Sequence, residues 1–181
     1  RAGQGQCCKG NGTIVNVSCS SLPRAGEGNG PSRGPGGWCR SCRKKCLPPA
    51  ARIATPRGDR AASTLRPGDL VWTMDRAGTR VAAPIIRMQT IAAEPSQTVL
   101  RISLEDGRVI RASEGHPALD GRSLVELAVG EQLDGSTVTS IDEVPLLGAA
   151  TWDLLPAGDT GAYWADGVLV GSTLFDGPSE R

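Results

Sequence analysis

Aromatic residues are scarce in this chain of 181 residues, which has four Trp, one Tyr and one Phe. A hydrophobic core must therefore depend on Val, Ile, Leu and Ala. No apolar run approaches the roughly 18 residues that a membrane-spanning helix requires, so no membrane span is expected. The net charge is only +1, which excludes a strong global field, and no nucleic-acid partner is predicted.

Lysine is missing from the whole of residues 46–181, and all six cysteines lie within the first 46 residues. Residues 1–45 carry a net charge of +7 and are rich in Gly, Ser, Asn and Pro, whereas residues 46–181 carry −6. Such a contrast indicates two segments that do not share one core. The sequence predicts a flexible, basic, Cys/Gly-rich tail or linker over residues 1–45, followed by a domain of ordinary size.

The cysteines of the tail allow several states. Cys46 is either a reactive thiol or the partner of a tail cysteine in a disulfide. The Cys39-x-x-Cys42 spacing also permits a zinc site, although no second C-x-x-C completes one. A cysteine-rich segment with two possible glycosylation sequons, at Asn11 and Asn16, favours an oxidising compartment, so a secreted or cell-surface location is expected.

Short apolar runs separated by turn residues follow one another from residue 52 onward, which is typical of an all-β domain. No window of twelve residues shows a helical period, and only Ala61–Leu65 and Leu124–Ala128 are expected to form single helical turns. Tight hairpins are predicted at Asp106-Gly107 and Asp166-Gly167. The predicted strands are Arg52–Thr55, Asp69–Met74, Ala83–Met88, Thr98–Ser103, Val109–Ala112, Ser136–Val144, Thr151–Leu155, Ala162–Ala165 and Val168–Val170.

A short pattern occurs twice in the chain. Residues 65–70 (LRPGDL) and residues 127–133 (LAVGEQL) share a leucine, a glycine and an acidic residue, and their glycines, Gly68 and Gly130, are 62 residues apart. The pattern marks either two unrelated turns or two halves of a duplicated β unit.

His116 is the only histidine in the chain. Any acid or base chemistry that requires imidazole at neutral pH must therefore use it. It lies between a glycine and a proline after a predicted strand, a setting that fixes its backbone. Cys46 stands where the basic tail meets the β segment, and it is the candidate nucleophile.

Three blocks of the sequence together resemble the Hint domain, the module shared by hedgehog C-terminal domains and inteins. The blocks are residues 46–58 (CLPPAARIATPRG) with residues 65–71 (LRPGDLV), then Ser113-Glu114-Gly115-His116 with Ser where the family has Thr, then residues 151–154 (TWDL) with residues 160–170 (TGAYWADGVLV). The resemblance implies a Hint-like β domain over residues 46–172 and a C-terminal tail over residues 173–181.

The resemblance implies an all-β horseshoe with pseudo-twofold symmetry and a self-processing reaction. Cys46 would attack the carbonyl of Lys45 and turn that peptide bond into a thioester. By resemblance, Asp153 would accept the thiol proton, His116 would protonate the departing nitrogen, and Ser113 would hydrogen-bond at the scissile amide. The substrate is then the chain's own N-terminal flank, the second reactant is water or an external amine or thiol, and neither cofactor nor metal is implied.

The sequence departs from the family at its C-terminal end. Inteins end in His-Asn, whose Asn cyclises to release the C-terminal flank, whereas this chain has Gly171-Ser172 there and Gly161 in place of an earlier histidine. Only nine residues follow Ser172, and the sterol-transfer region of hedgehog proteins is not expected among them. We therefore expect single-turnover cleavage at Lys45-Cys46 without full protein splicing.

Two other functions are compatible with the sequence. One is a catalytically inactive Hint-derived scaffold of a secreted or surface protein, in which Cys46 forms a disulfide with a tail cysteine. The other is a small cysteine hydrolase that acts in trans through Cys46, His116 and Asp153, which would need an open substrate cleft.

Overall fold

The computed structural model of the chain describes residues 46–176 in full and, before them, the backbone of four strands. The chain folds as two compact units, Arg1–Lys44 and Lys45–Arg181. In the first unit the strands pair antiparallel in the order β2-β1-β4-β3. These strands are β1 (Gln4–Lys9), β2 (Ile14–Ser18), β3 (Arg33–Gly34) and β4 (Gly37–Cys39).

The sequence predicts no strand in this first unit, because a Gly-, Ser- and Asn-rich segment is atypical of strands. The four strands in this unit were therefore not predicted from the sequence. The proposed disulfides, zinc ligands and glycosylation sites of the tail involve side chains that lie outside the described residues.

The second unit is all-β over residues 46–176, as predicted. Its only helices among those residues are two short 3-10 helices, Ala62–Thr64 and Leu124–Glu126, which lie at the two predicted helical turns. No helix in the described part of the chain is long and apolar enough to span a membrane. The strands are β5 (Arg52–Ile53), β6 (Arg60–Ala61), β7 (Leu70–Met74), β8 (Arg80–Ala92), β9 (Thr98–Leu104), β10 (Val109–Ala112), β11 (Gln132–Leu133), β12 (Ser136–Pro145), β13 (Ala150–Pro156), β14 (Ala162–Ala165) and β15 (Val168–Gly171).

Two long strands, β8 and β12, exchange partners between the halves of this unit. β8 pairs with β7 before it and with β13, the strand that follows β12. β12 pairs with β11 before it and with β9, the strand that follows β8. All four pairings are antiparallel. Each half is therefore completed by a strand of the other, which is a pseudo-twofold arrangement.

The two copies of the repeated sequence pattern, residues 65–70 and 127–133, adopt the same local structure. In both copies a 3-10 helix is followed by a turn whose glycine has a positive φ, +94° at Gly68 and +96° at Gly130. The Gly68 N–H donates to the carbonyl of Ile85 and the Gly130 N–H to that of Val138, both at 2.8 Å. Since glycine adopts this backbone region without the strain of other residues, the turn explains why each copy has one.

The acidic residue of each copy closes the same turn with its side chain. Asp69 accepts the backbone N–H of Arg66 at 2.9 Å, and Glu131 accepts that of Ala128 at 2.8 Å. In each copy an arginine nine residues earlier pairs with the same acid. The two copies share backbone, side-chain cap and ion pair, as expected of a duplicated unit.

The last strands of this unit lie beside its first residues. In the sheet of order β15-β14-β5-β6, Ala165 of β14 pairs with Ile53 of β5. Leu47 likewise pairs with Trp152 of β13. Cys46, the first residue of this unit that the structure describes, is therefore next to the strands that come last in the sequence.

The core of the unit is built almost wholly from aliphatic side chains, as the scarcity of aromatic residues predicts. Among the described residues, Tyr163 is the one aromatic side chain in that core. Ser113, His116 and Asp153, the polar residues that the resemblance singles out, are also almost completely buried. Because buried polar groups are normally hydrogen-bonded, their partners define the candidate site.

Candidate catalytic site

Cys46 is held by backbone pairing at the start of the unit. Leu47 and Trp152 exchange two backbone hydrogen bonds, of 2.7 and 2.8 Å, and the Cys46 carbonyl accepts the N–H of Ser113 at 2.9 Å. In the antiparallel register that Leu47 and Trp152 set, the next pair is Cys46 and Asp153. Both residues are 1% exposed. The predicted nucleophile and the predicted base are therefore buried on adjacent segments.

Ser113 and His116 lie in the turn that follows β10. The His116 N–H donates to the Ser113 carbonyl at 2.9 Å, and the His116 carbonyl accepts the N–H of Leu124 at 2.9 Å. Both backbone groups of His116 are thus fixed, and its ring is buried with 0% exposure. The sequence alone indicated a fixed backbone here, and the hydrogen bonds show how it is fixed.

The Ser113 hydroxyl is buried and has no hydrogen-bond partner among the residues that the structure describes. A buried hydroxyl left unpaired costs about 1–3 kcal/mol. The backbone N–H of the same residue binds the Cys46 carbonyl at 2.9 Å, so Ser113 lies next to the peptide segment at Cys46. Lys45, the other residue of the predicted scissile bond, lies outside the described residues.

Asp153 receives four hydrogen bonds. Its Oδ1 accepts from the Leu154 N–H at 2.8 Å and from the Tyr163 hydroxyl at 2.7 Å. Its Oδ2 accepts from the N–H of Thr173, at 2.8 Å, and from the hydroxyl of the same residue. A carboxylate offers about four acceptor directions, and these four donors fill them. To take a proton from Cys46, Asp153 would have to exchange one of these donors for the thiol.

Tyr163 is a site residue that the sequence did not identify. Its hydroxyl donates to Asp153 and lies 3.4 Å from Nε2 of His116, and the His116 and Tyr163 rings meet edge to face with centroids 6.2 Å apart. Burial, and after it the charge of Asp153, raises the pKa of Tyr163 well above its usual value, and Cys46 adds a smaller effect. The hydroxyl is therefore protonated at neutral pH and available as a donor. The only sequence signal was that the chain has a single tyrosine, which lies in a predicted strand.

Two residues of the predicted C-terminal tail also contribute to this region. Thr173 binds Asp153 with both its N–H and its hydroxyl. Phe175 packs against Gly161, where an added Cβ would lie 2.5 Å from Cγ of the phenylalanine. Gly161 also has a φ of +64°. A histidine there would meet both a steric and a backbone obstacle.

Gly161 and Ser172, two of the positions that depart from the family pattern, are neighbours in space. The Ser172 N–H donates to the Gly161 carbonyl at 2.8 Å, and the Ser172 hydroxyl accepts the N–H of Leu174 at 3.1 Å. Among the described residues no group of three or more His, Cys, Asp and Glu could hold a metal ion.

No protein-family model matches the chain, and no curated protein matches its sequence. Solved structures do match. A DnaB intein from Synechocystis sp. PCC 6803 is 19% identical with a TM-score of 0.62, and the match covers 71% of this chain and 99% of the intein. The mini-intein variant M86 of Ssp DnaB is 18% identical with a TM-score of 0.64, covering 74% and 99%. A bacterial intein-like domain from Clostridium thermocellum is 19% identical with a TM-score of 0.60, covering 71% and 99%.

These matches span almost the whole of each solved structure, so the second unit has the complete Hint-type, intein-like fold. The predicted pseudo-twofold horseshoe of short strands is confirmed. With identities below 25%, the likeness establishes the fold alone, and function has to be argued from the side chains of the site.

Proposed function

We propose that this chain is a self-processing domain that converts the Lys45-Cys46 peptide bond into a thioester and releases or transfers its N-terminal portion. The observation that carries the proposal is the buried Ser113 hydroxyl, whose own residue binds the Cys46 carbonyl at 2.9 Å. A hydroxyl donor beside a scissile amide can stabilise the oxyanion that forms when a thiol attacks. The likeness to inteins and to an intein-like domain adds support.

The proposed step transfers an acyl group from nitrogen to sulfur. The Cys46 sulfur bonds to the carbonyl carbon of Lys45, and the bond from that carbon to the Cys46 nitrogen breaks. The thiol proton passes to Asp153, and His116 gives a proton to the departing nitrogen, which becomes the amino group of Cys46. The proton on Asp153 then restores the one that His116 gave, so no proton is gained or lost overall.

A second reactant completes the reaction. Water would convert the thioester into a carboxylic acid at Lys45 and return the thiol of Cys46. An external amine would take the same acyl group as an amide, and an external thiol as a new thioester. In each case one peptide bond of the chain is cleaved once, so the domain acts on itself and turns over a single time.

Full protein splicing is not part of the proposal. Ser172 has no side-chain amide that could cyclise, and Phe175 together with the positive φ of Gly161 obstructs an assisting histidine. A cysteine hydrolase acting in trans is disfavoured as well, because Cys46, Ser113, His116 and Asp153 are each at most 1% exposed. Such an enzyme needs an open cleft for its substrate.

The test is intact-mass spectrometry of the freshly expressed chain at neutral pH, with and without hydroxylamine or an added thiol. We expect two products that divide between Lys45 and Cys46, formed faster when the nucleophile is present, since a thioester reacts with both reagents. Cys46→Ala is the matched control, and it should leave the chain whole under every condition.

A different result would contradict the proposal. A chain that stays whole in hydroxylamine, with Cys46 found in a disulfide by peptide mapping, would indicate an inactive Hint-derived scaffold. Cleavage that persists in Cys46→Ala would indicate an ordinary protease acting at the basic residues before Cys46, and no thioester chemistry.

A further inference from the structure

We propose that Tyr163 is a positioning residue that connects Asp153 to His116 and holds the imidazole in the form protonated at Nε2. Its effect on cleavage rests on the function proposed above, whereas its effect on the histidine does not. The hydroxyl of Tyr163 is the atom that contacts both side chains, at 2.7 Å from Asp153 Oδ1 and 3.4 Å from His116 Nε2.

The direction of these hydrogen bonds follows from a count of protons. Two of the donors to Asp153 are backbone N–H groups, of Leu154 and Thr173, which can only donate. The carboxylate that receives them has no proton of its own to offer in its ionised form. The single hydroxyl proton of Tyr163 is therefore directed to Asp153, where the distance is also the shorter one.

With its proton on the side of Asp153, the oxygen of Tyr163 can only accept from His116. An unprotonated Nε2 would direct its lone pair at the lone pairs of that oxygen, which is unfavourable. A protonated Nε2 donates to it instead. The geometry thus selects one of the two neutral tautomers of His116, with Nδ1 as the basic ring nitrogen.

This tautomer has a consequence for the reaction. Before the attack, Nδ1 takes up a proton from water, and the imidazolium that results is connected through Tyr163 to the negative charge of Asp153, which stabilises it. The proton that the departing Cys46 nitrogen needs is then delivered from Nδ1. Tyr163 does not itself touch the reacting atoms, so its role is to orient the acid and fix its tautomer.

The test uses nitrogen NMR of the imidazole, which is simplified because His116 is the only histidine in the chain. The chain carries Cys46→Ala so that the junction stays intact, and spectra are recorded at a pH where the ring is neutral. We expect Nε2 to carry the proton in this chain. Tyr163→Phe, which removes only the hydroxyl oxygen, should shift the ring toward a mixture of tautomers.

Thr173→Val is the matched control. It removes a hydroxyl that donates to the other oxygen of Asp153 and leaves the contact between Tyr163 and His116 in place. The tautomer of His116 should not change. An equal shift in both variants, or no shift in Tyr163→Phe, would overturn the proposal. If Tyr163→Phe fails to fold, the parent spectrum decides, because a proton found on Nδ1 there contradicts the assignment.

The rate of cleavage gives a separate readout. In the chain that retains Cys46, Tyr163→Phe should slow cleavage about 10- to 100-fold, part of what a general acid contributes. An unchanged rate beside a changed tautomer would overturn the link to catalysis. Absence of cleavage in the parent chain would instead overturn the proposed function, while the NMR result would still decide the tautomer.

Discussion

Ser113 has opposite effects on folding and on the proposed reaction. Its hydroxyl is buried without a hydrogen-bond partner among the described residues, which is unfavourable for the folded chain. Thr73 is a useful contrast, because its equally buried hydroxyl donates to the Ala162 carbonyl at 2.6 Å. A hydroxyl that serves only the fold is expected to resemble that of Thr73, whereas one that serves a reaction is expected to resemble that of Ser113.

The first prediction is that Ser113→Ala slows cleavage without lowering stability. We expect the rate to fall about 100-fold, the usual effect of removing one oxyanion donor. In the Cys46→Ala chain, urea unfolding of Ser113→Ala should show an unchanged or higher free energy of unfolding. Thr73→Val, which removes the hydrogen bond from the Thr73 hydroxyl to the Ala162 carbonyl, should lose about 1–2 kcal/mol. Ser113→Thr should keep most of the activity, and a loss of stability in Ser113→Ala would count against the argument.

Some residues of the candidate site were proposed from the sequence, and others are visible only in the structure. The second group is defined by side-chain contacts between residues far apart in the sequence. Cys46 was a candidate because it stands where the basic tail meets the β segment. His116 was one because it is the only histidine and its neighbours fix its backbone, and Asp153 followed from the resemblance. The role of Tyr163 depends on a hydroxyl contact with Asp153, ten residues away. Thr173 reaches the same carboxylate from twenty residues away. No local sequence pattern indicates such contacts, and a tyrosine in a predicted strand is most simply interpreted as a core residue.

At the scale of elements, the strand positions were predicted mainly from the turn residues between them. The nine predicted strands all occur, because Asp-Gly and Pro-Gly turns mark their ends. β8 spans Arg80–Ala92 and is longer than predicted. The prediction was too short because the added residues are exposed or only partly buried and so give no apolar pattern. The two-residue strands β6 and β11 were missed, since strands that short have no period to detect.

The second prediction concerns the repeated turn. Gly68→Ala and Gly130→Ala should each lower the free energy of unfolding by about 1–2 kcal/mol, because alanine is strained at a φ near +95°. The two losses should be similar, since a Cβ at either position meets nothing within 4 Å. Urea unfolding measures them. Gly68→Asn and Gly130→Asn are the controls, and they should recover part of the loss because asparagine tolerates this region better. Clearly unequal losses would contradict the structural equivalence of the two copies.

At the scale of the whole second unit, Arg108 joins turns that belong to different parts of the chain. It pairs with Asp106 in its own hairpin, with Asp134 in the turn between β11 and β12, and with the carbonyl of Gly167 between β14 and β15. Its side chain is 28% exposed. The Asp106 hydrogen bond, followed by that of Asp134, raises the pKa of Arg108, so the cation persists at any ordinary pH.

The same local motif occurs a second time without this connection, which gives the last prediction its control. Arg122 follows Asp120-Gly121 as Arg108 follows Asp106-Gly107, and each arginine binds its own aspartate through both the backbone N–H and Nε. Arg108 differs from Arg122 in that it also binds a second aspartate, Asp134, whose side chain is largely shielded from solvent.

Arg108→Ala should therefore lower the free energy of unfolding by about 1–2 kcal/mol, as expected for lost charge-assisted hydrogen bonds that are partly buried. Arg122→Ala removes the matching pair with Asp120 and, in addition, only an exposed ion pair with Glu131. Its loss of unfolding free energy should therefore be clearly smaller. Urea unfolding in the Cys46→Ala chain compares the two, and raising the salt concentration should reduce the smaller loss more than the larger one. Equal losses would mean that the motif acts only within its own turn, and that the ends of the three turns are held together by their strands alone.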